Sequence, residues 1–166
     1  MFALQPCLRA WGLLTLGFLC LATAVPASAQ SGPEHQQAGA SVANLQFDSG
    51  KKWATDASLR SGMAAIRAAF EADRIAIRDG RETDTQYEDL AGRIQSQVSS
   101  IMANCRLPPV ADANLHYVIA DLLQGVNLML GKDPSHPPSD GSTLVHGALV
   151  AYGKYFDDPG WVPESP

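Results

Sequence analysis

Met63, Met102, Cys105 and His116 are the residues of this chain whose types and spacing suggest chemistry. Thioethers, a thiolate and an imidazole are the donors that suit copper(I), a soft ion. Cys105 opens the stretch CRLPPVADANLH, and His116 closes it eleven positions later. The double proline between them marks a break in the chain. The question is which elements would bring a methionine from far upstream to that junction.

Four apolar stripes at helical spacing supply the elements. Leu59, Met63, Ile66, Phe70 and Ile77 recur at intervals of three, four or seven, as one buried helix face requires. Asp56 or Thr55 suits its N-cap and Gly80 its stop. The second stripe is Tyr87, Leu90, Ile94, Val98, Ile101 and Cys105. Two overlapping capping boxes, Thr83 with Gln86 and Thr85 with Glu88, mark its start. Pro108-Pro109 ends it and can open a third helix carrying Leu115, Ile119, Leu122, Val126 and Met129, which stops near Gly131. After the loop GKDPSHPPSDGS comes a fourth stripe, Val145, Leu149, Tyr152 and Phe156, closed by Pro159. No stretch alternates with period two for long enough to propose a sheet. The fold expected is all-α, an up-down-up-down four-helix bundle spanning residues 45–161.

In that topology one end collects the start of the first helix, the end of the second, the start of the third and the end of the fourth. Met63 and His116 each lie about seven residues inside their helices, at a matching depth of roughly 10 Å. Cys105 falls nearer the rim and Met102 about a turn deeper. The metal site expected is therefore Met63, Cys105 and His116, with Met102 as an auxiliary. Each residue also has a packing reading. Met63 and Cys105 sit on core stripes, where methionine and free cysteine serve as ordinary filler, and His116 is at the edge of an apolar face. His146, Met129 and the loop residue His136 gather at the opposite end as a weaker set, and His35 lies in the leader.

Residues 1–29 read as a cleaved signal peptide. Arg9 precedes the apolar run WGLLTLGFLCLATAV, and Ala27-Ser28-Ala29 gives the small-x-small cleavage pattern. The run is too short for a comfortable membrane span. Export to the periplasm follows, and Cys7 and Cys20 leave with the signal, so Cys105 has no internal partner. Residues 30–44 are polar and aperiodic and read as a flexible leader; 162–166 form a tail. The signal removes Arg9 and no acid, leaving eleven basic residues against seventeen acids, a charge of −6. That balance argues against nucleic-acid binding. Enzyme templates are missing too: the sequence has no G-x-S-x-G, H-E-x-x-H, phosphate-binding glycine loop or Glu-x-x-His pair.

Haem is a further possibility. Covalent attachment is excluded because C-x-x-C-H does not occur. The helical order, the position of Met63 and the segment NLHYVIADLLQGVNLMLGK are similar to the cytochrome b562 family. The resemblance implies a b-type haem held by Met63 and a histidine from the end of the fourth helix. That region here reads ALVAYGKYFDD, with Gly153 about where the histidine would stand.

The stretches LQFDSGKKWATDASLRSGMAAIR, IMANCRLPPVADANLH and AYGKYFDDPGW resemble a group of small exported proteobacterial proteins labelled DnrO-like. The resemblance spans about residues 45–161 and implies export and a helical fold more than an activity. Its matching positions include Met63, Cys105 and His116. Members of the group often carry a histidine-richer leader and a histidine before the final P-G-W, where this chain has His35 and Asp158. If the group binds metal, this member has a poorer or altered site.

The reading is a non-catalytic periplasmic protein, monomeric or weakly dimeric, with copper(I) as its ligand. The alternatives are a structural module that docks a periplasmic protein partner through Trp53 and Trp161, and a b-type haem bundle.

Overall fold

The structure is a computed structural model that describes residues 41–162. The signal peptide, most of the leader with His35, and residues 163–166 lie outside the described residues. Four helices make up the fold: α1 (Ala57–Arg78), α2 (Asp84–Asn104), α3 (Pro109–Met129) and α4 (Pro138–Tyr155). Asp56 caps α1, its carboxylate accepting from the Leu59 backbone N–H at 2.7 Å. Gly80 adopts the left-handed conformation just past the end of α1, at φ +64°. At α2 the capping box is the one formed by Thr83 and Gln86, while Thr85 lies inside the first turn. Proline occupies the first position of both α3 and α4, where its missing N–H costs no hydrogen bond.

The helix starts show where the apolar pattern runs out. α4 begins at Pro138, inside the segment read as a loop, because Pro137-Pro138 opens a helix as Pro108-Pro109 does. Gly141 and Ser142 then sit in the helix interior. The α3 backbone passes so close that a side chain at Gly141 would strike the Gly125 carbonyl oxygen. This crossing makes α3 and α4 the most extensively packed pair, whereas α1 and α4 touch least among helices that neighbour each other. Successive helices are antiparallel neighbours: the start of α1 meets the chain leaving α2 through Asp56 and Arg106. The stripes close one core: Leu59, Met63, Ile66, Leu90, Ile94, Leu122, Leu149 and Tyr152 all have 0 % exposure.

Two short elements were not legible as periodic patterns. β1 (Trp53–Ala54) and β2 (Phe156–Asp157) pair in parallel, Trp53 beside Phe156. Two residues cannot display a period of two. The pairing ties the entry of α1 to the exit of α4, and the Lys52 ammonium donates to the Gly153 carbonyl at 2.7 Å near the α4 C-terminus, where a cation also suits the helix dipole. A single 3-10 turn, η1 (Val42–Asn44), lies within the stretch read as leader. It is fastened by Asp121, a buried carboxylate on α3 that accepts from the Val42 N–H at 3.1 Å and the Ser41 hydroxyl at 3.3 Å. No described helix is long and apolar enough to cross a membrane.

Candidate functional site

The junction between α2 and α3 is organised by Asp56. Cys105 is the C-cap of α2, its N–H donating to the Ile101 carbonyl at 2.8 Å before the chain turns extended. The next N–H, of Arg106, donates to Asp56 Oδ2 at 2.5 Å while Asp56 Oδ1 caps α1. One carboxylate therefore starts one helix and holds the exit of another. The Cys105 thiol faces the same carboxylate. Burial works to raise the Asp56 pKa, but the N–H donors of Leu59 and Arg106 and the Cys105 thiol outweigh it and hold the carboxyl below its ordinary range. The effect on Cys105 is the reverse. Burial first, then the charge of Asp56 and the hydrogen bond to it, push the thiol up to about 11. Cys105 is a protonated donor at neutral pH, not a free thiolate.

A hollow of about 260 Å³ opens beside this junction, lined by Ile101, Met102, Cys105, Asp112, Leu115, His116 and Ile119. His116 is exposed, and its Nδ1 lies 2.8 Å from the Asp112 carbonyl oxygen. A carbonyl can only accept, so Nδ1 carries a proton, and in the neutral ring Nε2 is the nitrogen with a lone pair for a ligand. This is the orientation that outer-shell carbonyls impose on metal-binding histidines. Met102 is 60 % exposed at the mouth. Three of the four residues expected at the metal corner thus share one hollow.

Met63 does not join them. It is fully buried in the core and does not line the hollow, whose walls come from the end of α2, the junction and the start of α3 alone. Gly153, where the resemblance to cytochrome b562 would put a haem histidine, is covered by Trp161, whose indole nitrogen would clash with an added β-carbon. At the opposite end, Met129 is buried against Gly141, His146 stacks on Phe70 at 5.8 Å, and His136 pairs with Asp140 at 3.0 Å. Each of these has its own structural setting. Trp53 is buried with its indole N–H on the Gln46 carbonyl, while the half-buried Trp161 packs edge-on against Tyr152.

Among the described residues, no three His, Cys, Asp or Glu side chains converge into a metal-holding group. A site at the junction therefore needs the Met102 thioether, which restricts it to soft ions. Sequence reasoning found Asp56 only as a cap and passed over Asp112. The contact between Asp56 and Arg106 spans fifty positions and leaves no local signal.

The double duty of Asp56 sets an expectation for stability. Asp56→Ala removes an N-cap and a charge-assisted bond to Arg106, and should cost about 2 kcal/mol in urea unfolding at neutral pH. A carboxylate whose folded pKa is lowered stabilises above its unfolded value, near pH 4, and loses that contribution as pH falls through the folded value. The gap between wild type and variant should accordingly be full at pH 7 and shrink in acid below about pH 4.

The fold and hollow define a four-helix bundle with a small soft-donor rim at one end. The chain matches no protein-family model, no curated protein and no solved structure.

Proposed function

We propose that the protein is an exported, non-catalytic binding bundle that holds copper(I) at the rim formed by Met102, Cys105 and His116. The observation that carries this reading is the placement of a thioether, a thiol and an imidazole with a free Nε2 in one hollow. The resemblance to DnrO-like exported proteins supports the compartment assumed. The open position of Met102 and His116 suits an ion that is taken up and passed on, while burial and the charge of Asp56 keep Cys105 protonated until a metal displaces the proton. Asp112 orients His116, and Asp56 positions Cys105.

A titration of reduced protein with copper(I) against a chromophoric chelator tests this. One ion per chain should be captured. Cys105→Ser should abolish capture, and Met102→Leu and His116→Gln should each weaken it by about tenfold or more, the loss common even for outer-shell partners. Because the thiol titrates near 11, binding releases its proton. Affinity should therefore rise about tenfold per pH unit through the neutral range. Failure to compete with a weak chelator, or capture by Cys105→Ser equal to wild type, overturns the reading.

A further inference from the structure

A second and larger hollow, about 780 Å³, runs along α1 and the segment after α4. We infer that it binds a small organic monocarboxylate, with the carboxylate on Arg67 and the apolar body against Trp161, Ala64 and Ala68. The volume lies within the range of small-molecule sites. Arg67 lines the groove with its guanidinium over the Trp161 ring, 5.3 Å from the centroid. Its Nε–H is buried and has no acceptor among the described residues. A cation in that setting is incompletely satisfied by the protein alone.

The acids that could have paired with it are engaged elsewhere. Glu71 accepts from Arg74 at 2.9 Å. Asp158 accepts from the Tyr152 hydroxyl at 3.0 Å and the Gly160 N–H at 2.9 Å. Arg60, also at the groove, gives one nitrogen to Thr55. The cation–π contact with Trp161 holds the Arg67 guanidinium at the groove, and its planar fork matches a carboxylate in two-point contact. Two carboxylates in the lining disfavour a dianion such as phosphate, so a single negative charge fits better. The alanine face and the indole supply the surface for an alkyl or aryl body.

Calorimetric titration of the full protein with octanoate, octanol and octyl phosphate tests the assignment. Octanoate should bind saturably, with octanol and octyl phosphate weaker. Arg67→Gln should weaken octanoate by about tenfold or more, as loss of a charge-assisted pair implies, with helical circular dichroism unchanged; Arg67→Lys should restore part of the loss. Equal binding of octanol, an unaffected Arg67→Gln variant, or no octanoate binding overturns the inference. Tighter binding of octyl phosphate than octanoate overturns the choice of carboxylate. The groove is separate from the Cys105 hollow, so copper capture should be unchanged in Arg67→Gln.

Discussion

Gly141→Ala is expected to destabilise the protein by about 3 kcal/mol, the upper part of the range for overpacking a close contact. A methyl at this position meets the Gly125 carbonyl oxygen and lies 2.8 Å from the Met129 backbone nitrogen. Both obstacles are backbone, so no rotamer change relieves them. The α3 and α4 axes must move apart, and their separation opens the interface that packs Val126, Met129 and Val145. Gly125→Ala is expected to behave similarly, since its methyl lies 2.7 Å from the Gly141 carbonyl. Gly147, in the same helix, is the control. Nothing lies within 4 Å of an added methyl there, so alanine should stabilise by about 0.5–1 kcal/mol through helix propensity. Urea unfolding of the variants, with equal slopes, reads these opposite signs directly. Equal and small effects at Gly141 and Gly147 would show that the helices do not cross as described.

Met63 separates packing from ligation. Its side chain is fully buried beside Leu59, Ile66 and the α2 stripe. Met63→Ala should cost about 3 kcal/mol, as cavity-forming substitutions of buried methionine do, while the volume-conserving Met63→Leu should cost less than about 1.5 kcal/mol. Neither change should alter the copper captured per folded chain. A Met63→Leu variant that keeps its stability but loses metal would place Met63 among the ligands and move the site into the core.

The residues also show what a sequence discloses and what it hides. The stripes beginning at Leu59, Tyr87 and Leu115 set out α1, α2 and α3 almost to their ends, because burial of one helix face imposes a period that survives in the letters. α4 was shorter in the sequence reading because Gly141 and Ser142 look like turn residues; only the approach of α3 explains a glycine there. The pairing of Trp53 with Phe156 was hidden for another reason, being too short to repeat. At the site, spacing brought Cys105, Met102 and His116 to one end of the bundle, and they share a hollow there. Met63 stood on the core stripe in the sequence and is buried there; its depth matches that of His116, but equal depth does not bring a core-facing side chain to the junction. Asp56 and Arg67 were invisible as partners, since their roles come from contacts with Arg106 and Trp161 far along the chain.

The most direct test of the copper rim is copper K-edge X-ray absorption on the loaded, reduced protein, compared with Met63→Leu. A first shell of sulfur with one imidazole nitrogen, identical in the two proteins, is the result the geometry of Met102, Cys105 and His116 predicts. A shell without sulfur, or one that changes when Met63 is replaced, would contradict it.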